Sequence, residues 1–299
     1  MTIRRLPDFL ANQIAAGEVV ERPASAVKEL VENSIDAGAQ HIQIKLADGG
    51  RKAITVTDDG CGMTPEELVV CVERHATSKL PDDNLIDIQH LGFRGEALPS
   101  IGAVSRLSII SKTSDAQDAW KLSVESGRVL APIPAAHPPG TSVEIKDLFY
   151  ATPARLKFLK TTRTEINRAE EVIKRLAMAY PHIGFTFFNG ERQRINVSAD
   201  QRDLFSARIN RLSNIMGKDF ADNAIEIEAE REGFKLSGYI GVPTFNRGNS
   251  QLQFLFVNGR PVTDRMLFGA LRGAYRDFLA SDRYPVVALF LSAPPSEVD

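Results

Sequence analysis

The chain has 299 residues, of which 43% are hydrophobic and 25% charged. These proportions sit near globular averages and exclude a disordered or fibrous chain, and the length suits two domains better than one core. The formal net charge of -2 excludes a uniformly basic coat for nucleic acid, so any DNA contact has to come from a local patch. Two cysteines, Cys61 and Cys71, form no CxxC pair, and five scattered histidines offer no zinc-ligand spacing. The reading is two reduced core thiols in a cytoplasmic protein. No stretch approaches the roughly 20 apolar residues that span a bilayer, and Met1–Leu10 lacks an apolar signal core. A membrane role is therefore not expected.

In chain order, Pro23 fits a first helical turn, and Val27, Leu30, Val31, Ser34 and Ile35 recur at helical spacing until Gly38 stops the run. His41–Ala47 and Ala53–Asp58 alternate around Asp48-Gly49-Gly50, which predicts an antiparallel hairpin. Thr64-Pro65-Glu66-Glu67 is a capping box opening a helix toward Arg74. Residues 76–98 show weak periodicity and read as a long loop, of a kind that is usually functional or disordered. Strand-like runs follow at 104–112, 120–130 and 141–147, then a helix over Glu165–Ala179. A hairpin is predicted over residues 185–197. The polar segment Ser198–Arg202 marks a boundary, giving domains 1–200 and 201–299. Beyond it come a helix, strands at 224–230, 234–242 and 252–257, a helix near 264–279 and a strand near 285–292.

Three short elements carry chemistry. Glu29, Asn33 and Asp36 fall at i, i+4 and i+7, on one helix face. The carboxylate can take a proton from water, and the amide oxygen can ligate a hard cation. A solvated polar face has the same spacing. Asp58 is in phase with Ile54 and Val56, so it points toward the core, where a carboxylate needs donors. An adenine amino group is one such donor, and the glycines of Asp59-Gly60-Cys61-Gly62 would admit a flat ligand. A tight turn capped by aspartate is the alternative. Gly92-Phe93-Arg94-Gly95-Glu96-Ala97-Leu98 is a glycine-flanked loop entering a helical run, where backbone N–H groups can hold phosphate oxygens. An ordinary loop-to-helix junction reads the same way. Thr77, Ser78 and Lys79 add two hydroxyls and a cation. Neither Walker A nor G-x-G-x-x-G spacing is present.

Taken in this order, the elements resemble the GHKL ATPases, and within them the MutL family of mismatch-repair proteins. The segments that carry the resemblance begin with Ala11–Val20, Arg22-Pro23 and Lys28–Ser34. Arg74–Lys79 and Gly92–Leu98 follow. Then come Gly140-Thr141, Asp147–Phe149, Pro153 with Lys157–Leu159, and Phe256–Arg260. The resemblance implies an α/β sandwich with helices on one side of a mixed, mostly antiparallel sheet. An incomplete α/β domain of the ribosomal-S5 kind is implied to follow. It further implies ATP as ligand, Glu29 as general base, Asn33 as ligand of Mg²⁺, and Asp58 on adenine with Thr141 in support. Gly62, Thr77, Ser78, Lys79 and the segment Gly92–Leu98 complete the nucleotide site.

The implied partners are DNA, a MutS-type mismatch recognition protein and a downstream nuclease or helicase. A homodimer forming on ATP binding is implied as well. Leu6, Phe9, Leu10 and Ile14 form an apolar stripe that could serve that dimer or pack on its own domain. For DNA, the candidate contacts are Arg155, Lys157, Lys160, Arg260 and Arg265, acting on backbone phosphates without reading sequence. Solvated helix faces are the alternative. Three departures from the family stand out. Asp59 and Ala151 occupy positions usually held by asparagine. The chain also stops at Asp299, before the Asn-x-His-Pro-x-Lys segment whose lysine reaches the γ-phosphate. The expectation is therefore a fragment that hydrolyses ATP more weakly than a longer version. A histidine-kinase-type phosphotransferase and an ATP-binding DNA clamp without hydrolysis are the competing functions.

Overall fold

The structure, a computed structural model, describes residues 13–14, 16–17, 19–76, 91, 95–125, 127–294 and 297. Among these, the chain divides into two compact units. The first holds the residues up to Ile173 together with Ile183–Ala199, and the second holds Lys174–His182 and the residues from Asp200 onward.

In the first unit, α1 (Pro23–Asp36) is followed by β1 (His41–Ala47), β2 (Ala53–Asp58), the short α2 (Pro65–Val70) and α3 (Ala97–Val104). Next come β3 (Arg106–Lys112), β4 (Ala119–Glu125), β5 (Arg128–Val129), β6 (Ile133–Ala135) and β7 (Gly140–Lys146). The short α4 (Pro153–Leu156), the long α5 (Thr162–Ala179) as far as Ile173, β8 (Gly184–Asn189) and β9 (Arg192–Val197) complete it; α5 from Lys174 onward counts with the second unit. Nine strands form one sheet in the order β5-β4-β3-β7-β2-β1-β8-β9, with β6 beside β4. Pairing is antiparallel except between β1 and β8.

Alternation explains the sheet's two faces. Ile42, Ile44 and Leu46 of β1 and Ile54 and Val56 of β2 are buried on one face. Their neighbours along each strand are half-buried or exposed. Val27, Leu30 and Val31 of α1 and Ile166, Ala169 and Ile173 of α5 are buried too. Burying a branched side chain of this size contributes about 1.5–3 kcal/mol. A sheet with one covered and one solvated face is what period-2 patterning specifies.

The predicted 41–58 hairpin forms, with Ile44 opposite Val56. The capping box also forms: Thr64 Oγ1 accepts from Glu67 N, and Glu67 Oε2 accepts from Thr64 N. The helix it opens stops at Val70 rather than reaching Arg74. The run expected as a strand from 104 belongs to α3 as far as Val104, and β3 starts at Arg106. Gly127, at φ +82°, separates β4 and β5, which were expected as one strand. The long helix starts three residues early, at Thr162. The reading of two core thiols needs correction. Cys61 is exposed and only Cys71 is half-buried; burial pushes the Cys71 thiol up to about 12.

The second unit contains α6 (Leu204–Met216), α7 (Lys218–Asp222), β10 (Ala224–Arg231), β11 (Phe234–Gly241) and β12 (Asn246–Arg247). It continues with β13 (Gln253–Val257), β14 (Arg260–Val262), α8 (Arg265–Ala274), β15 (Tyr284–Pro285) and β16 (Val287–Ser292). Five strands order as β10-β11-β16-β13-β14, with β13 parallel to β16. Its core gathers Met178, Leu212, Phe220, Phe254 and Phe256. Phe256 stacks on Phe290 at 4.6 Å between ring centroids.

Candidate nucleotide site

The site grows from the meeting of α1 with the ends of β2 and β7. Asp58 closes β2 and is only 8% exposed. Its Oδ2 accepts the Ser34 hydroxyl of α1 at 2.7 Å, and its Oδ1 accepts the Gly60 backbone N–H at 3.0 Å. Thr141 lies opposite Asp58 in the β2–β7 register and its backbone also donates to the carboxylate. Burial still outweighs these donors and lifts the Asp58 pKa above the usual carboxylate range.

Thr141 extends the polar cluster. Its hydroxyl lies 2.8 Å from that of Ser111, and Ser111 Oγ accepts from Met63 N at 2.8 Å. Gly62 sits at φ +72°, and a Cβ there would fall 2.1 Å from the Lys112 carbonyl oxygen. Only glycine fits such a close backbone approach without displacing a strand. Cys61 N donates to Ala37 O at 3.0 Å. The loop after Asp58 is thus tied both to the end of α1 and to the end of β3. Asp59 points away from this cluster. Its carboxylate accepts from the backbone N–H groups of Gln40 and His41 at 2.7 and 2.8 Å. A carboxylate suits that position because it caps two donors outside the pocket.

Helix α1 has two differently dressed sides. Val27, Leu30, Val31 and Ser34 are buried, whereas Glu29, Asn33 and Asp36 are only half-buried. Lys28 Nζ lies 3.8 Å from Glu29 and 3.3 Å from the buried Glu32. Asp36 Oδ1 accepts from Leu91 N at 3.1 Å, and α3 packs beside α1. Glu96 stands just before α3, with Oε1 3.0 Å from His75 Nδ1 and Oε2 3.7 Å from Arg74. Gly95, at φ +60°, would place a Cβ 2.4 Å from Ala76 O. Ala97 and Leu98 form the first turn of α3 and are half-buried.

Thr77, Ser78, Lys79, Gly92, Phe93 and Arg94 lie outside the described residues, as do Leu6, Phe9 and Leu10. Ile14 is 55% exposed. Among the DNA candidates, Lys157 and Lys160 are exposed in the first unit and Arg265 in the second, where Arg260 is half-buried. Arg155 is turned inward instead. Its guanidinium packs against Gly17 so closely that a Cβ there would overlap it, and Nη1 is buried. Ser34 and Ser111 are the cluster members that sequence reasoning did not single out as site residues. Ser34 stood in the helical stripe, and its partner Asp58 lies 24 residues away, beyond the reach of any local pattern.

A family model described as "Histidine kinase-, DNA gyrase B-, and HSP90-like ATPase" matches residues 21–139, the segment that carries Ser34, Asp58, Gly62 and Ser111. A second, described as "DNA mismatch repair protein, C-terminal domain", matches residues 212–299. Fold and site therefore define a GHKL-type ATPase domain. The DNA mismatch repair protein MutL of Rhodospirillum rubrum is 62% identical over all 299 residues, and that of Paramagnetospirillum magneticum is 58% identical. The MutL ATPase domain of Aquifex aeolicus, solved with ADP, superposes with a TM-score of 0.71 at 29% identity, covering 93% of this chain and 94% of that one. The N-terminal domain of a DNA repair protein gives 0.80 at 29% identity, covering 96% and 87%. The chain belongs to the MutL family. It spans about half the length of the curated relatives it matches, 48% and 49% for those two. No helix among the described residues is long and apolar enough to cross a membrane.

Proposed function

We propose that this chain binds ATP and hydrolyses it slowly, as the nucleotide-driven part of a MutL-type mismatch-repair protein. The carrying observation is the Ser34–Asp58 bond of 2.7 Å. It joins a buried adenine-seeking carboxylate to the helix that holds Glu29 and Asn33. The Aquifex relative solved with ADP supports a nucleotide as the ligand.

In this reading Asp58 accepts the adenine amino group, and the Gly60–Gly62 loop lies along the flat base. Gly62, Gly95, Glu96, Ala97, Leu98 and Thr141 frame the pocket. Thr77, Ser78, Lys79, Gly92, Phe93 and Arg94 are proposed to complete it. Asn33 offers one carboxamide oxygen, and no group of three or more acidic, histidine or cysteine side chains stands ready for a metal among the described residues. Such a sparse donor set fits Mg²⁺, which keeps waters and takes phosphate oxygens. Bound there, the ion would neutralise phosphate charge. Glu29, one turn before Asn33, takes the proton from a water held in line with the γ-phosphate. One base without further covalent help gives slow turnover, which suits a switch.

The same reading has ATP favouring a homodimer by binding that state more tightly. The dimer would then engage DNA backbone, a MutS-type recognition protein and a downstream nuclease or helicase in the cytoplasm. An ATP-binding clamp that does not hydrolyse is the second reading. Turnover and nucleotide binding of wild type and Glu29→Ala separate the two. Hydrolysis in wild type that falls about 10²-fold or more in the variant, with binding retained, supports catalysis. Binding without turnover in either protein supports the clamp.

A further inference from the structure

Asp58, Thr141 and Ser111 form a row across the ends of β2, β7 and β3. Asp58 lies opposite Thr141, and Thr141 lies opposite Ser111. All three are buried, and Ser111 is 0% exposed. Thr141 stands between Ser111 and Asp58, so Ser111 acts on a ligand only through the threonine.

The hydrogen bonds of Ser111 leave little freedom. A serine hydroxyl has one proton and two lone pairs. The Met63 backbone N–H donates to Ser111 Oγ at 2.8 Å and fills one lone pair. Gly62 brings that donor in, because its left-handed φ of +72° lets the loop close on the Lys112 carbonyl. Two neighbours remain. Gly140 O, at 3.1 Å, can only accept, and Thr141 Oγ1, at 2.8 Å, can donate or accept. If Thr141 gives its proton to Ser111, it shows a ligand only lone pairs. If Ser111 turns its proton onto Thr141, the threonine proton is free to point into the site.

The second arrangement is a chain of donors running from Met63 N–H through Ser111 and Thr141 to the ligand, in which each bond polarises the next. It sets a donor beside the Asp58 acceptor. Adenine carries the complementary pair on one edge: the amino group on C6 donates and ring N1 accepts. Guanine and hypoxanthine carry the reverse, a carbonyl on C6 and an N–H at ring N1. Against those bases Asp58 meets an oxygen lone pair and Thr141 meets a second donor, so buried polar groups go unpaired.

We propose that Ser111 is a positioning residue that sets base specificity: it holds Thr141 as a donor toward ring N1 and so selects adenine over six-oxo purines. The inference rests on the reading of this cluster as an adenine-nucleotide site. To that reading it adds Ser111 and the Met63 amide, and it assigns a direction to each hydroxyl. Without Ser111 the Thr141 hydroxyl turns to accept as readily as it donates.

The test is calorimetric titration of the 299-residue chain with ADP, inosine diphosphate and 1-deaza-ADP, which carries C–H in place of ring N1. The wild type is expected to bind 1-deaza-ADP about tenfold more weakly than ADP, and inosine diphosphate about 100-fold more weakly. Ser111→Ala is expected to bring the first ratio to about twofold and the second to about tenfold, because Asp58 still opposes the carbonyl. Ser111→Cys keeps a weak donor of similar size and is expected to fall between. Thr141→Val should give the ratios of Ser111→Ala, with no further change in the double variant. A loss of packing alone would weaken all three nucleotides alike and leave the ratios at their wild-type values, and that result in Ser111→Ala overturns the proposal. So does a wild type that binds ADP and 1-deaza-ADP equally, a comparison that depends on no variant folding. ADP binding with unmoved ratios sinks the relay and spares the nucleotide site. A wild type that binds none of the three sinks the nucleotide reading and the relay with it.

Discussion

The Ser34 hydroxyl and the Asp58 carboxylate meet 2.7 Å apart across 24 residues of sequence, and both side chains are buried. The contact sets the height of α1 against the end of β2, and so the height of Glu29 and Asn33 against anything held by Asp58. A hydrogen bond to a charged group contributes about 1.5–3 kcal/mol. Ser34→Ala is expected to cost roughly that much stability and to weaken adenine-nucleotide binding. Ser34→Thr should restore part of both. Urea unfolding and calorimetric titration with a non-hydrolysable ATP analogue check the pair. An alanine variant that binds nucleotide as wild type does would mean that Asp58 is placed by its strand alone.

Asp58 makes a pH prediction with a definite sign. Burial lifts its pKa above the ordinary value, more than its hydrogen bonds lower it. The native state therefore binds this proton more tightly than the unfolded chain does. Its contribution to stability is full below the unfolded pKa and is lost as pH rises through the folded one. Asp58→Asn removes that loss and is expected to melt at a higher temperature at neutral pH, while binding ATP more weakly. In the wild type, adenine affinity should climb as pH rises through the Asp58 ionisation, because the amino group needs the carboxylate. A nucleotide affinity flat across the acid range would be incompatible with Asp58 as the acceptor.

Much of this frame was legible from period and punctuation. Alternation at Ile42, Ile44 and Leu46 set the face of β1, and Asp58, in step with Ile54 and Val56, was correctly read as inward. What stayed hidden were facts of register and of three-dimensional approach. Ser111 reaches Thr141 only because β3 and β7 pair side by side. No local signal in sequence carries a pairing 30 residues away. Arg155 looked like its lysine neighbours in a basic run, but α4 turns its guanidinium onto Gly17. Cys61 looked like a core thiol, and the tethering of its backbone to Ala37 leaves the side chain outside.

Asn33 carries a prediction about the metal ion. If its carboxamide is the protein's one ligand to Mg²⁺, Asn33→Ala should raise the Mg²⁺ concentration needed for half-maximal turnover, and Asn33→Asp should shift it less. Chelation should abolish turnover in every variant. Turnover curves against Mg²⁺ read the effect directly. An unchanged half-point in Asn33→Ala would remove Asn33 from the metal site.

Glu165 is wholly buried, and its Oε1 lies 3.7 Å from Arg22 and accepts from Lys160 N at 2.9 Å. Arg22 is the residue before α1, so this carboxylate holds the start of the proposed catalytic helix. Breaking a buried pair from one side leaves a charge without its partner and costs about 3–5 kcal/mol. Glu165→Ala is expected to fall in that range. Glu165→Gln keeps an acceptor for Lys160 N and should cost less. Denaturant midpoints at constant slope measure both.

In the second unit, Arg211 of α6 is 2% exposed and ends the run of α5. Its Nη1 donates to Ala177 O at 2.7 Å, and its Nη2 to Pro181 O at 2.8 Å. Burial lowers its pKa to about 10, so it stays charged at neutral pH. The carbonyls at a helix C-terminus carry partial negative charge and lack intrahelical donors. The guanidinium satisfies the Ala177 carbonyl of the last turn and the Pro181 carbonyl just past the helix with one rigid fork, which an ammonium cannot do with the same geometry. Arg211→Met fills the space but strands the Ala177 carbonyl, costing about 1–3 kcal/mol, whereas Pro181 O keeps the Asp200 backbone N–H at 3.1 Å. The expected loss is therefore several times that of a surface arginine, with Arg211→Lys intermediate. Hydrogen exchange localises it: amides of Leu204–Met216 and Gln253–Val257 should open faster in Arg211→Met, while those of β1 and β2 keep their wild-type protection. Equal acceleration in β1 and β2 would show that the arginine stabilises the whole chain as one cooperative body rather than the second unit.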